Sequence, residues 1–126
     1  MPNQNLIAYD VIANTPPQNR YLESAAMCAL LVTETAMDAL SRKLRIDPLA
    51  LRLRNARQRD ALTAASEHEH YRAPVAANNG RGVAYAMGCT HLCDVELDAL
   101  SGRVRVSRYS VFVGASEMEA SKDLDV

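Results

Sequence analysis

Two alternating segments on either side of a short polar turn constrain the fold of this chain more than any other feature. In residues 93–98 apolar side chains alternate with acidic ones, and in residues 103–106 valines alternate with arginines. Alternation with a period of two is the pattern of a β-strand with one apolar face. Because a four-residue turn at 99–102 brings opposite charges together on one face, the sequence predicts an antiparallel hairpin over residues 93–113.

Charge and hydrophobicity both specify the register of this hairpin. The predicted cross-strand pairs are Asp98 with Arg103, Glu96 with Arg105, Leu97 with Val104 and Val95 with Val106. A slip by one residue would invert every side chain. Beyond these pairs the apolar residues change parity, to Tyr109, Val111 and Val113. This change predicts a β-bulge near Ser107 and Arg108.

Two helices are predicted upstream of the hairpin. In residues 23–44 large apolar residues recur at three- and four-residue steps, which is the period of an amphipathic helix. Asp47 followed by Pro48 predicts the start of a second helix, because Asp caps helices well and Pro is tolerated at the first helical position. The predicted inner face of this helix consists of Leu49, Leu53 and Ala56. No strong helix breaker occurs before Ala65, so we expect the helix to continue to that residue.

The remaining segments complete an α+β fold. Apolar runs at 6–12 and 83–87 predict strands, and the polar stretch 66–79 predicts a loop. We expect one domain over residues 1–116, with two helices packed on a small, mostly antiparallel sheet that ends in the hairpin. The polar residues 117–126 are expected to form a frayed tail.

Composition excludes several classes of protein. The chain of 126 residues has a net charge of −1, and it contains three cysteines, an odd number that argues against a secreted disulfide framework. No apolar run approaches the roughly 18 residues that a membrane span requires. We therefore expect a cytoplasmic protein that binds neither membranes nor nucleic acid.

Seven basic residues within 18 positions are the strongest local concentration of charge. They are Arg42, Lys43, Arg45, Arg52, Arg54, Arg57 and Arg59. This set could form a phosphate-binding face or a solvated helical surface. The acidic net charge and the absence of interleaved aromatic residues favour the solvated surface.

Soft metal ligands occur in two groups. Cys89, His91 and Cys93 would share one face of a strand, and His68 and His70 lie in the predicted loop. The spacing C-x-H-x-C is unusual for a zinc site, and cysteine is among the most frequently buried residues. We therefore expect buried thiols and solvated histidines rather than a metal site. No arrangement of serine, histidine and carboxylate residues in the sequence predicts a catalytic centre.

Five short motifs resemble, in order, one stretch of a known enzyme family. They are N-T-P-P at 14–17, I-D-P-L-A-L-R-L-R-N at 46–55, G-R-G-V-A-Y at 80–85, V-E-L-D at 95–98 and S-G-R-V-R-V at 101–106. Together they resemble part of the large, molybdopterin-binding subunit of the xanthine dehydrogenase and aldehyde oxidase family, and the isoquinoline oxidoreductase branch is the most similar. The resemblance extends over about residues 6–115, a small part of such a subunit.

The resemblance implies an incomplete cofactor site. In the family an F-R-G-x-G loop follows N-T-P-P, and its glycines let the backbone approach the pterin. Here Tyr21 retains the aromatic position, whereas Leu22, Glu23 and Ala25 stand in place of the arginine and the two glycines. A carboxylate beside an anionic cofactor is unfavourable. Tyr21 is thus the one retained cofactor-binding position, and we expect no molybdopterin in the isolated chain.

Two functions from different classes follow. The chain resembles a split or truncated component of a molybdopterin-dependent oxidoreductase that hydroxylates a heterocycle or an aldehyde. The family's catalytic glutamate lies in a G-x-G-E segment that this sequence does not contain, so no catalytic residue is assigned. The alternative is a non-catalytic module for protein–protein contact. In either case we expect a homodimer through the apolar helix at 23–44, and possibly further subunits of a molybdenum hydroxylase as partners.

Overall fold

A three-stranded antiparallel sheet and four helices form the described part of the chain. The computed structural model describes residues 22–114 and, before them, residues 5, 7, 9, 11, 12 and 14. The elements in chain order are α1 (Leu22–Leu44), α2 (Pro48–Asn55), α3 (Asp60–Glu67), α4 (Glu69–Arg72), β1 (Asn79–Ala86), β2 (Cys89–Leu97) and β3 (Val104–Val113). The strand order is β1-β2-β3. The predicted α+β class is confirmed.

The hairpin β2–β3 has the predicted register. Glu96 pairs with Arg105, Leu97 with Val104 and Val95 with Val106. The next pair is Asp94 with Arg108, so Ser107 is the additional residue of a bulge. The Ser107 hydroxyl donates to the Asp94 carbonyl at 3.2 Å. The predicted bulge is therefore confirmed, and local alternation alone was sufficient to locate it.

The first helix and the start of the second agree with the predictions, but the second helix is shorter. Asp47 Oδ1 accepts hydrogen bonds from the backbone N–H groups of Leu49 and Ala50 at 3.0 and 2.8 Å, as expected for an N-cap. The expected continuation to Ala65 is wrong. The chain is extended at Ala56, with φ −75° and ψ 141°, and α3 starts again at Asp60.

Tertiary packing explains this break. Because the chain changes direction at Ala56, α3 can place Leu62 and Ala65 in the core, where both are 0% exposed. A continuous helix would direct these residues away from the sheet that Leu49 already covers. Burial of apolar side chains therefore outweighs the helix propensity of residues 56–59.

The predicted loop at 66–79 contains the short helix α4. The His68 side chain caps it, because Nδ1 accepts from the backbone N–H of His70 at 3.1 Å. His70 is then directed at the sheet and is fully buried. The expectation of a solvated histidine is wrong for His70, since a turn of helix rather than an open loop carries it.

The helices α2, α3 and α4 cover one face of the sheet. The core consists of Leu49, Leu62, Ala65, Val83 and Leu92, with Leu53, Ala56, Tyr71, Tyr85 and Phe112 packed around it. Helix α1 lies along the outer edge of β1, where Glu34 Oε2 accepts the backbone N–H of Tyr85 at 3.1 Å. That bond satisfies a donor that an edge strand would otherwise leave unpaired.

The predicted terminal segments are mostly outside the described residues. In the expected strand at 6–12, Ile7, Tyr9, Val11 and Ile12 are described; they lie in no strand and are exposed. The rest of that segment and the expected tail at 117–126 lie outside the described part of the chain.

Candidate functional site

Among the described residues, α2, α3 and α4 leave the second face of the sheet uncovered, and α1 borders it along β1; this face is here called the open face. On β3 it carries Val104, Val106, Tyr109, Val111 and Val113. On β2 it carries Cys89, His91, Cys93, Val95 and Leu97. On β1 it carries Gly80, Gly82, Ala84 and Ala86. The open face contains no Asp, Glu, Lys or Arg, although 23% of the chain is charged.

The bulge at Ser107 creates this uniform surface. Without the additional residue, Tyr109, Val111 and Val113 would point to the face opposite Val104 and Val106. With it, all five lie on the open face, where their exposed fractions range from 46% for Val111 to 64% for Val104. A solvent-facing sheet surface normally alternates polar residues with the buried apolar ones. The open face therefore has the composition of a buried surface.

A groove of about 600 Å³ lies between α1 and the open face. Met27, Leu30 and Leu31 form its helical wall, and the floor includes His91 and Tyr109. The His91 Nδ1 atom and the Tyr109 hydroxyl are 2.8 Å apart and share a hydrogen bond. The carboxylates of Glu34 and Asp38 also line the groove, but both are paired with Arg52. The groove is consequently apolar, and the two carboxylates that line it are neutralised by an arginine.

Arg52 is the centre of a buried ion pair between α1 and α2. Its side chain is 2% exposed, and Nη2 lies 2.7 Å from Glu34 Oε2 and 2.8 Å from Asp38 Oδ1. Nη1 donates to the Pro48 carbonyl at 3.0 Å. The expectation of a solvated surface is therefore wrong for Arg52, whereas the other six basic residues of that set are exposed. The spacing of residues in the sequence does not indicate this ion pair, because Glu34 is 18 positions from Arg52.

A second polar network lies beneath the helices on the covered face. Arg81 donates to both carboxylate oxygens of Asp94 at 2.7 and 2.8 Å, and its Nη1 donates to the Tyr71 and Ala73 carbonyls. This bidentate arrangement is the strongest form of an arginine–carboxylate pair. The hydrogen bond from Arg81 lowers the pKa of Asp94 below its ordinary value, and burial opposes this shift.

His70 connects this network to β3. Its Nδ1 is 2.8 Å from the Ser110 hydroxyl, and its Nε2 is 3.3 Å from Asp94 Oδ1 but poorly aligned for a hydrogen bond. Serine, histidine and aspartate in series also occur in hydrolases. Here His70 is fully buried, Arg81 already neutralises Asp94, and the groove is on the opposite side of the sheet. The network therefore holds α4 on the sheet. No pattern in the sequence indicates this network, since Ser110 is 40 positions from His70.

The tyrosine after His70 also joins two elements. The Tyr71 hydroxyl donates to Asp47 Oδ2 at 2.6 Å, so the carboxylate that caps α2 is also bound to α4. Burial, together with this bond to an anion, raises the pKa of Tyr71 above its ordinary value.

Cys89, His91 and Cys93 share one face of β2, as predicted, but their geometry does not fit one metal ion. Alternate residues on a strand are about 7 Å apart, so the two cysteines are about 13 Å apart. A zinc ion requires its ligands within about 2.3 Å. Among the residues that the structure describes, no group of three His, Cys, Asp or Glu side chains could hold a metal.

Three of the residues for which the resemblance implies a cofactor loop lie at the start of α1. Leu22, Glu23 and Ala25 are helical in the structure. Tyr21, the one retained cofactor position implied by the resemblance, lies outside the described residues. A first helical turn at 22–25 differs from an open glycine loop, because its backbone N–H groups are directed along the helix axis.

Comparison with protein-family models, curated protein sequences and solved structures gave no match. Within the described ranges, no helix has both the length and the apolar character needed to cross a bilayer.

Proposed function

We propose that this chain is a scaffold component of a molybdopterin-dependent oxidoreductase of the xanthine dehydrogenase and aldehyde oxidase type. In this proposal it acts only with polypeptide that supplies the pterin-binding loops and the catalytic glutamate. One observation carries the proposal: the separate motifs that resemble the family pack against each other. Leu49, from the motif at 46–55, shares one core with Val83, from the motif at 80–85.

The contacts of the motif residues support the same interpretation. Here Asp47 caps a helix, Arg52 is the buried partner of Glu34, and Gly80 pairs with Val95 of the next motif across the sheet. Asp47 and Arg52 thus have structural roles that account for their residue types. Such roles are what a scaffold segment would need to retain.

In such an assembly the chemistry would be the insertion of a water-derived oxygen into a heterocycle or an aldehyde, as the resemblance implies. Molybdopterin, when bound to the complete enzyme, would supply the redox step. The residues of this chain would supply a rigid α1–sheet unit against which further polypeptide packs. The three cysteines are unpaired, which agrees with the cytoplasmic location that we include in the proposal.

The decisive experiment is purification of the tagged chain from its native host, followed by elemental analysis. We expect co-purification of a polypeptide that contains a G-x-G-E segment, with near-stoichiometric molybdenum in the complex. The same chain produced alone in a molybdopterin-competent host should contain no stoichiometric molybdenum. Near-stoichiometric molybdenum in the chain alone, or a native complex without it, would contradict the proposal.

A second function is favoured by the open face. A sheet surface without any charged side chain, in a protein with 14 basic and 15 acidic residues, fits a non-catalytic module that works through protein contact. The same purification separates the two functions. A stable complex that contains neither molybdenum nor a G-x-G-E polypeptide would favour the interaction module.

A further inference from the structure

We propose that the open face is the interface of a symmetric homodimer, in which two copies of this chain pack sheet against sheet. This inference concerns the isolated chain and does not depend on the proposed function. In this dimer the two open faces are buried against each other and α1 lies at the rim of the interface. The expected dimer through α1 alone would instead bury only the helix.

Charge is the first argument for a second copy. In a two-fold interface each residue near the axis meets its own equivalent, so a charged side chain would face a like charge. The open face has no charged side chain on any of its three strands. Glu34 and Asp38, the nearest carboxylates on the α1 wall, are already paired with Arg52. Two copies of the open face can therefore meet without bringing like charges together.

Shape is the second argument. Helix α1 forms a raised wall at the β1 edge of the open face, whereas the β3 edge is open. A two-fold axis between the sheets and parallel to the strands would place α1 of each copy over β3 of the other. Leu31, which is 69% exposed at the rim, would then contact the partner's valines on β3. Each copy would fill the vacant half of the other's groove.

Area is the third argument. Three strands of 8 to 10 residues form a face of about 400 Å², because strands are about 4.8 Å apart with a rise of about 3.3 Å per residue. The flank of the 23-residue α1 adds about 300 Å². Two copies would then bury about 1,400 Å², which lies within the range of stable interfaces. The sheet face without α1 would give only about 800 Å², the size of a weak contact.

The first test is light scattering during size-exclusion chromatography at micromolar concentration. We expect twice the mass of one chain for the wild type and the mass of one chain for Val111→Lys. The matched control is Val75→Lys, because Val75 is 44% exposed, close to the 46% of Val111, but lies in the loop after α4. Thermal melting followed by circular dichroism should show that both variants fold.

A second measurement keeps the inference testable if the Val111 variant does not fold. Two cysteines, Cys89 and Cys93, lie on the open face, whereas Cys28 is exposed on α1 and does not line the groove. In the wild-type dimer a maleimide should label Cys28 rapidly and the two sheet cysteines at least about tenfold more slowly, as read by mass spectrometry of peptides.

Three results would overturn the inference. The first is a wild-type mass of one chain across the micromolar range. The second is a Val111→Lys variant that folds and remains dimeric, since the interface would then lie elsewhere. The third is labelling of Cys89 and Cys93 that is as rapid in the wild type as that of Cys28.

Discussion

The two faces of the sheet differ both in their charged residues and in whether helices cover them. The face beneath α2, α3 and α4 carries Arg81, Asp94, Glu96, Arg105 and Arg108. The open face carries no charged residue. In most half-solvated sheets the charges lie on the side that faces water. Here they lie on the side that the helices cover in part, and Arg105 and Arg108 remain exposed there.

Pairing explains how the covered face tolerates its charges. Arg81 is bound to Asp94, Arg105 to Glu96 and Arg108 to Glu69, at 2.6 to 2.7 Å. The pair of Arg81 and Asp94, whose arginine also donates to the Tyr71 carbonyl of α4, is the most buried of the three, with side chains 10% and 16% exposed. The pair near the turn is largely exposed, at 79% and 48%. The covered face thus changes from a core to a solvated surface along a single strand, whereas the open face is apolar along its whole length.

The largest difference between the faces should appear on truncation of apolar side chains. Leu92→Ala should lower the free energy of unfolding by about 3 kcal/mol, because Leu92 is 0% exposed and its removal leaves a cavity. Val111→Ala, on the open face, should cost less than about 1 kcal/mol in the monomer. Denaturant titration at a protein concentration where light scattering gives the mass of one chain would measure both. Equal costs would mean that the open face is already covered within one chain.

The buried charge pair should give the next largest effect. Asp94→Asn removes the bidentate acceptor of Arg81 and should lower the free energy of unfolding by about 2 kcal/mol. Glu96→Gln is the matched control, since Glu96 lies two residues further along the same strand and is paired with an exposed arginine. Urea titration of both variants should show a clear loss for Asp94→Asn and little change for Glu96→Gln. A comparable loss in both would show that cover by the helices does not strengthen the pair.

Lowering the pH should weaken the pair of Arg81 and Asp94 without changing the size of any side chain. Arg81 holds the pKa of Asp94 below that of the unfolded chain, so the contribution to stability is complete above pH of about 4. It is lost as the pH falls through the depressed folded value, because Asp94 must then bind a proton. The wild type should therefore lose more stability than Asp94→Asn between about pH 4 and the acid limit of folding. Parallel pH profiles for the two proteins would contradict this assignment.

The exposed pair near the turn should give the smallest effect. Glu96→Arg places like charges opposite each other in the observed register, and Arg105→Glu should restore part of the lost stability. A double-mutant cycle measures this coupling directly. The expected coupling is favourable but weaker than the loss in Asp94→Asn, because both side chains are largely solvated. A coupling of the opposite sign would be inconsistent with the pairing of Glu96 with Arg105.

Much of the local structure was predictable because its causes are local. Asp47 and Pro48 specify a helix start through capping and a fixed φ angle, and both lie next to the helix that they begin. The hairpin register follows from alternation over adjacent strands. The bulge follows from the change of parity after Val106.

The features that the sequence did not indicate depend on contacts between distant residues. The interruption at Ala56 depends on where α3 packs, the burial of His70 on Ser110, and the burial of Arg52 on Glu34. Those partners are 40 and 18 positions away, and no periodic pattern reports such a distance. The expected solvated histidine and the expected solvated arginine were wrong for this reason.

The sequence by itself determined which side chains share each face of the sheet, because a strand alternates with a fixed period of two and the bulge is encoded by adjacent residues. Only the tertiary structure decided which face the helices cover. That choice depends on the path of α2, α3 and α4, which is set by the burial of Leu49, Leu62 and Leu92 together. Hydrophobic burial depends on area and not on direction, so no local pattern could specify it.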